Sequence, residues 1–76
     1  MRYIPIAEVG LNIKDIRTKK RVSQVSLAAK LGWRPSNLCE IEKGRRTVSL
    51  RTLYRIARAL GVEARDLLAP RAEGRS

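Results

Sequence analysis

The sequence predicts an all-α fold, a compact domain of five short helices. Apolar residues recur at intervals of three and four along most of the chain, which is the spacing of one buried helix face. Ser, Pro or Gly stands at the ends of these stretches, where helices commonly begin and end. Phe is absent and Trp occurs once, so the core must come from Leu, Ile, Val and Ala, which pack well between short helices.

The chain length and the position of Pro5 define the expected organisation. With 76 residues the chain forms one domain, and a domain of this size buries only about 60% of its unfolded surface. Pro5 disfavours a regular helix around it, so residues 1–9 are predicted to form an extended N-terminal arm. Residues 10–69 are predicted to form the folded domain, and the polar residues 70–76 a disordered tail.

Capping residues divide the domain into its helices. The first helix is predicted over residues 10–20, and the second begins after Ser23, whose hydroxyl can cap it. Gly32 ends the second helix, because glycine adopts the left-handed conformation of a C-cap without strain. Pro35 suits the first position of a third helix, which is predicted to stop at Gly44.

The remaining two helices follow the same logic. Ser49 is predicted to cap a fourth helix, which carries a clear apolar stripe and ends at Gly61. Leu67 and Leu68 indicate a last helix of about two turns.

The second and third predicted helices have the spacing of a helix-turn-helix. Two helices that meet at a steep angle through a short turn need a small residue where they cross and glycine where they turn. Ala28 and Gly32 occupy those positions, and Leu38 and Ile41 can hold the third helix against the second. A motif of this kind places its second helix in the major groove of DNA.

The charge of the chain indicates a polyanionic partner. Seventeen Lys and Arg against seven Asp and Glu give a net charge of +10, far more than solubility requires. A positive charge attracts any polyanion and does not by itself identify the partner. Nucleic acid, an anionic membrane surface and an acidic protein therefore all remain candidates on this ground. The basic residues are spread over several short helices, which disfavours a membrane-surface peptide.

Other features of the composition argue against catalysis and against a membrane location. The sequence has no His and a single Cys, Cys39, so we expect no metal site, no cofactor and no enzymatic activity. No apolar stretch approaches the roughly 20 residues that span a bilayer, and no signal peptide is evident. We therefore expect a cytoplasmic protein without a small-molecule-binding domain.

The sequence resembles the phage-repressor-like helix-turn-helix family, also called the xenobiotic-response-element family. The resemblance covers residues 10–68, and among short members the chain is most similar to the controller proteins of restriction-modification systems, compact antitoxins and phage regulators. It implies five helices, DNA binding as a symmetric dimer, and transcriptional control. The segments that carry it are Val22-Ser23-Gln24, Leu27-Ala28, Leu31-Gly32, Ile41-Glu42-Lys43-Gly44, Ser49-Leu50 and Ile56-Ala57-Arg58-Ala59-Leu60-Gly61-Val62.

The resemblance also assigns functions to individual residues. It implies a buried ion pair between Arg17 and Glu42. The residues that it places against base edges are Arg34, Pro35, Ser36, Asn37 and Glu40. The residues that it places against DNA phosphates are Ser23, Gln24, Lys43, Arg45, Arg46 and Arg51.

Two positions depart from the family pattern. Arg34 stands where the family usually has Ser or Thr to cap the third helix, and Arg can reach a phosphate but cannot cap. Pro35 replaces a polar base-reading residue and so shifts base recognition onto its neighbours.

The function predicted from these observations is sequence-specific regulation of transcription, as a repressor-type homodimer on double-stranded DNA. Leu67 and Leu68 are predicted to supply part of the dimer contact, and the operator is predicted to be nearly palindromic. The alternative is an antitoxin-type protein-interaction module that also binds DNA. A further protein partner, such as a toxin or RNA polymerase, stays open.

Overall fold

The computed structural model describes residues 6–69, and all regular structure within this range is helical. The helices are α1 (Ile6–Lys19), α2 (Gln24–Leu31), α3 (Pro35–Glu42), α4 (Leu50–Leu60) and α5 (Ala64–Leu68). This order confirms the predicted all-α fold of five helices, in which α2 and α3 are joined by a short turn.

Helix α1 begins at Ile6, four residues before its predicted start. Residues 6–9 are therefore helical, and the prediction that they belong to an extended arm is wrong. Proline restricts the residue before it and lacks only its own N–H, so Pro5 does not prevent a helix from starting at the next residue. Val9 in this added turn is buried in the core. Residues 1–5 of the predicted arm and the predicted tail lie outside the described residues.

Side-chain and glycine caps define the ends of α2 and α4. The hydroxyls of Ser23 and Ser49 each accept a hydrogen bond from the backbone N–H three residues further on, at 3.0 and 3.1 Å. Gly32 and Gly61 end the same two helices with φ of 74°. These four ends agree with the sequence prediction because caps depend on local hydrogen bonding.

Helix α3 is shorter than predicted at its C-terminus. Pro35 occupies its first turn, and the Arg34 side chain makes no capping hydrogen bond. The helix ends at Glu42 with Lys43 as its C-cap, before Gly44, which has φ of 76°. The chain then runs as an irregular connection to the start of α4.

The core consists of aliphatic side chains from all five helices. Its most buried large members are Ile13, Leu27, Leu38, Ile56 and Leu67.

A buried amide joins the first and last helices. The Nδ2 of Asn12 donates to the backbone oxygens of Leu67 and Ala69, both at 2.9 Å. Carbonyls at the C-terminus of a helix have no partner within the helix. Asn12 therefore fixes the end of α5 against α1.

Gly10 allows α1 to lie directly on the end of α3. A Cβ atom at this position would lie 2.7 Å from the carbonyl oxygen of Glu42 and still closer to that of Ile41. Real Cβ atoms do not approach backbone atoms so closely. The two helix backbones can be this near each other only because residue 10 has no side chain.

A buried ion pair ties α1 to α3 beside this close approach. The Nε of Arg17 donates to Oε2 of Glu42 at 2.7 Å, and Nη2 donates to Oε1 at 3.1 Å. The third guanidinium nitrogen, Nη1, donates to the carbonyl oxygen of Val22 at 2.8 Å. The Arg17 and Glu42 side chains are only 10% and 2% exposed, so this bidentate pair is shielded from solvent.

Removing Glu42 should strongly destabilise the fold. Glu42→Ala leaves the buried Arg17 charge without its partner, and we expect a loss of about 3 kcal/mol or more in the free energy of unfolding. Denaturant titration followed by circular dichroism measures this loss. The matched control is Glu40→Ala on the same helix, whose exposed pair with Arg45 should contribute less than about 1 kcal/mol. An unchanged unfolding midpoint for Glu42→Ala would contradict the assignment.

Adding a single methyl group at position 10 should also destabilise the protein. Helix propensity alone would make Gly10→Ala stabilising by about 1 kcal/mol. Because the new Cβ would clash with the backbone of α3, we expect instead a net loss of about 1 to 3 kcal/mol. The same titration decides the sign, and a raised midpoint would show that α1 and α3 can separate without cost.

Candidate nucleic-acid interface

The turn between α2 and α3 is held by the backbone and by small residues. Gly32 reverses the chain, and the N–H of Trp33 donates to the carbonyl oxygen of Ala28 at 2.8 Å. Ala28 itself is fully buried. Its small side chain allows the two helices to pack closely, as the sequence spacing predicts.

Helix α3 presents one apolar side to the core and one polar side outward. Leu38 and Ile41 are buried and anchor the helix. The five residues predicted to contact bases all retain exposed surface. Arg34, Pro35 and Ser36 are exposed, while Asn37 and Glu40 are half-buried. Polar side chains are thus available from the start of α3 to Glu40, with donors and acceptors that can distinguish base edges.

A polar groove runs between α3 and the start of α4. Asn37 lines it together with Arg46 and Ser49. Thr47 and Thr52 lie in the same groove, and neither was identified from the sequence. Thr52 lies three residues after Ser49, one helical turn away, and this spacing is the one signal that could have identified it.

A second groove lies where α1, α2 and the segment after α3 meet. Gln24, Lys43 and Arg45 line it, as does Lys14 from α1. The Nε2 of Gln24 donates to Oε1 of Glu42 at 2.9 Å. The structure therefore brings together, in one groove, three of the residues predicted to contact phosphates. It adds Lys14, which the sequence pattern gave no reason to select.

One predicted base contact is paired with one predicted phosphate contact. The Nη1 of Arg45 lies 3.6 Å from Oε2 of Glu40, with side chains 64% and 41% exposed. A pair this long and this exposed contributes little stability. It still places opposite charges side by side at the edge of α3.

The other basic residues have different surroundings. Arg51 is exposed in the first turn of α4, and Arg46 is exposed in the preceding connection. Arg55 donates from Nη2 to the carbonyl oxygen of Leu31 at 2.8 Å. This bond stabilises the C-terminus of α2 and gives Arg55 a structural function.

The predicted dimer contact through Leu67 is not supported by the structure. Leu67 has no exposed surface and packs within the core of its own chain. Leu68 is half-buried and lines an apolar cleft with Val48 and Leu50. Leu50 and Tyr54, four residues apart on α4, are 59% and 57% exposed. An apolar surface is therefore present, but it lies mainly on α4.

Residues 6–69 have neither the side-chain cluster of a metal site nor a membrane-spanning helix. Within this range no three His, Cys, Asp or Glu side chains come together as a metal site requires. None of the helices described has the length and apolar character needed to cross a membrane.

Comparison with known proteins identifies relatives of this chain. A family model described as helix-turn-helix matches residues 13–67. The control protein C.BamHI of Bacillus amyloliquefaciens is 38% identical over 60 residues, which cover 78% of this chain and 74% of that protein. The immunity repressor protein of Bacillus phage phi105 is 44% identical over 55 residues, 72% of this chain and 38% of the repressor.

A solved structure agrees with these sequence matches. The restriction-modification controller protein C.AhdI from Aeromonas hydrophila superposes with a TM-score of 0.79 at 35% identity, over 86% of this chain and 98% of that one. The resemblance to controller proteins and phage regulators is thereby confirmed. The matched range contains both helices of the motif and the ion pair that joins α3 to α1. The chain belongs to the helix-turn-helix family of DNA-binding transcriptional regulators.

Proposed function

We propose that this protein binds one operator sequence in double-stranded DNA and regulates transcription from it as a symmetric dimer. The observation that carries the proposal is the position of α3. Its inner side is anchored by Leu38, Ile41 and Glu42, and its polar side stays accessible between two grooves that contain basic residues. A rigid helix of this kind can enter a major groove while the flanking cations bind the two backbones.

The outward side chains of α3 supply the base contacts in this proposal. An Asn side chain can donate and accept at the same time, which matches the edge of adenine, and a Glu carboxylate can accept from the amino group of cytosine. Asn37 and Glu40 are the residues with this chemistry, and Ser36 can contact either kind of base. Arg34 and Pro35 complete the surface at the start of the helix.

The phosphate contacts come from the surroundings of α3. Gln24 lies at the N-terminus of α2, where the helix dipole favours an anion, and Ser23 precedes it. Lys43, Arg45 and Arg46 follow α3, and all three are exposed. Arg51 at the start of α4 extends the set. Phosphates are the same at every base pair, so these residues supply affinity more than specificity.

The dimer contact is proposed to lie on the apolar surface formed by Val48, Leu50, Tyr54 and Leu68. Its exposed members are large apolar side chains beside an apolar cleft, the kind of surface that marks a protein interface. A second copy is the proposed occupant, because one reading helix recognises only a half-site and a two-fold axis doubles the contacts. The two half-sites would then be about 34 Å apart.

The alternative function is that of an antitoxin-type protein-interaction module. Such a module would bind an unrelated toxin through the N-terminal arm or the tail and would keep its DNA binding. In either case we propose a cytoplasmic protein that performs no catalysis, with RNA polymerase as a further candidate partner.

Two classes of substitution should separate specificity from affinity. Asn37→Ala should cost about 1 to 3 kcal/mol on the selected operator and little on random DNA, because it removes a base contact. Arg46→Ala should weaken both DNAs almost equally and lower the salt dependence by about one unit, because it removes a phosphate contact. Fluorescence anisotropy at several salt concentrations measures both effects.

The operator for this experiment comes from selection of bound duplexes from a random pool at stated salt. Arg58→Ala is the control, since this exposed arginine lies near the C-terminus of α4. If Arg46→Ala rewrites the preferred sequence while Asn37→Ala leaves it unchanged, α3 is not the reading helix.

Charged substitutions on the apolar surface should break the dimer. Burial of a large apolar side chain contributes about 1.5 to 3 kcal/mol, so Leu50→Asp and Tyr54→Asp should each raise the dimer dissociation constant at least tenfold. Sedimentation equilibrium without DNA gives this constant. Val25→Asp is the matched control, because Val25 is 64% exposed on α2. A wild-type protein that stays monomeric, or variants that dimerise as well as wild type, would contradict the proposed interface.

A further inference from the structure

The groove between α1, α2 and the segment after α3 gathers cations from separate parts of the chain. Lys14 comes from the middle of α1, while Lys43 and Arg45 follow α3. The complete lining is Leu11, Lys14, Gln24, Cys39, Glu42, Lys43 and Arg45. Elements distant in sequence thus converge on one recess, which we call the α1 groove.

The one carboxylate in the α1 groove is already neutralised. Glu42 accepts two hydrogen bonds from the Arg17 guanidinium and a third from Gln24, and its side chain is 2% exposed. Glu40 offsets part of the charge of Arg45 through their exposed pair. Lys14 and Lys43 therefore give the α1 groove a positive charge, which suits an anionic ligand.

The contact with Glu42 fixes the orientation of the Gln24 amide. A carboxylate only accepts hydrogen bonds, so the nitrogen end of the amide must face Glu42. An amide nitrogen carries two N–H groups, and the second one can donate to another acceptor. The amide also lies at the first residue of α2, where the helix dipole attracts negative charge.

We propose that the α1 groove binds one backbone phosphate of the DNA in each half-site, with Lys14 as a direct contact and Glu42 as the residue that positions Gln24. A phosphodiester carries one negative charge and two free oxygens, which match a lysine ammonium and an amide N–H. The proposal rests on the proposed function. It extends the DNA-binding surface to α1, beyond the helix-turn-helix.

The arrangement distinguishes Lys14 from the other basic residues of α1. Lys19 is also exposed, and it ends the same helix five residues later. Five residues correspond to a rotation of about 140° around a helix, so the two side chains point to different sides. Lys14→Ala and Lys19→Ala therefore remove equal charge at different places.

The experiment measures the salt dependence of binding to a random-sequence duplex for both variants. Lys14→Ala should lower the magnitude of the slope of log affinity against log salt by about one unit, as for one lost phosphate contact. Lys19→Ala should leave the slope unchanged. Lys14→Gln, which keeps most of the aliphatic stem, should behave like Lys14→Ala, and circular dichroism checks that all three variants fold.

A second measurement locates the contact on the operator. Single neutral methylphosphonate substitutions along the operator should reveal one phosphate per half-site at which the wild-type protein loses more affinity than Lys14→Ala does. Equal salt-dependence slopes for wild type and Lys14→Ala, or equal losses of slope for Lys14→Ala and Lys19→Ala, would overturn the proposal. The proposed function would still stand in that case if the wild-type protein selects an operator. Failure of the wild-type protein to prefer any sequence would overturn the proposed function itself.

Discussion

The bidentate pair between Arg17 and Glu42 is the interaction on which the arrangement of the helices depends. Moving a carboxylate or guanidinium out of water costs several kcal/mol per ion, and good geometry with further hydrogen bonds is needed to offset that cost. Both conditions hold, because the guanidinium also reaches the carbonyl of Val22 and the carboxylate also accepts from Gln24. The network therefore fixes the end of α3, the last turn of α1 and the start of α2 relative to one another.

The small size of the domain makes this connection more important. A chain with so little interior offers few aliphatic contacts to each helix, and on α3 the buried apolar side chains are Leu38 and Ile41. Gly10 brings α1 into direct backbone contact with the same helix end. The close backbone approach, the ion pair and the core packing all act on α3. Together they hold its polar side at a fixed angle to the rest of the domain. A fixed angle is what recognition of base edges requires.

Structural residues and proposed DNA contacts overlap around α3. Glu42 belongs to the buried pair, yet it also orients Gln24 at the surface. Glu40, a candidate base contact, lies beside Arg45, a candidate phosphate contact. Substitutions within either pair will not be additive, since each removes a partner as well as a contact. Under the proposed function, stability and DNA recognition are therefore coupled.

The sequence by itself determined the helical fold, the caps at Ser23 and Ser49, the helix-turn-helix and the excess of positive charge. These features follow from hydrogen bonds within a few residues and from composition, which the chain carries wherever it folds. Only the tertiary structure decided that α1 begins at Ile6, that Leu67 faces inward, and that Lys14 lies beside the residues around α3. The orientation of a short helix and the meeting of distant side chains depend on packing between elements, which a local pattern does not contain.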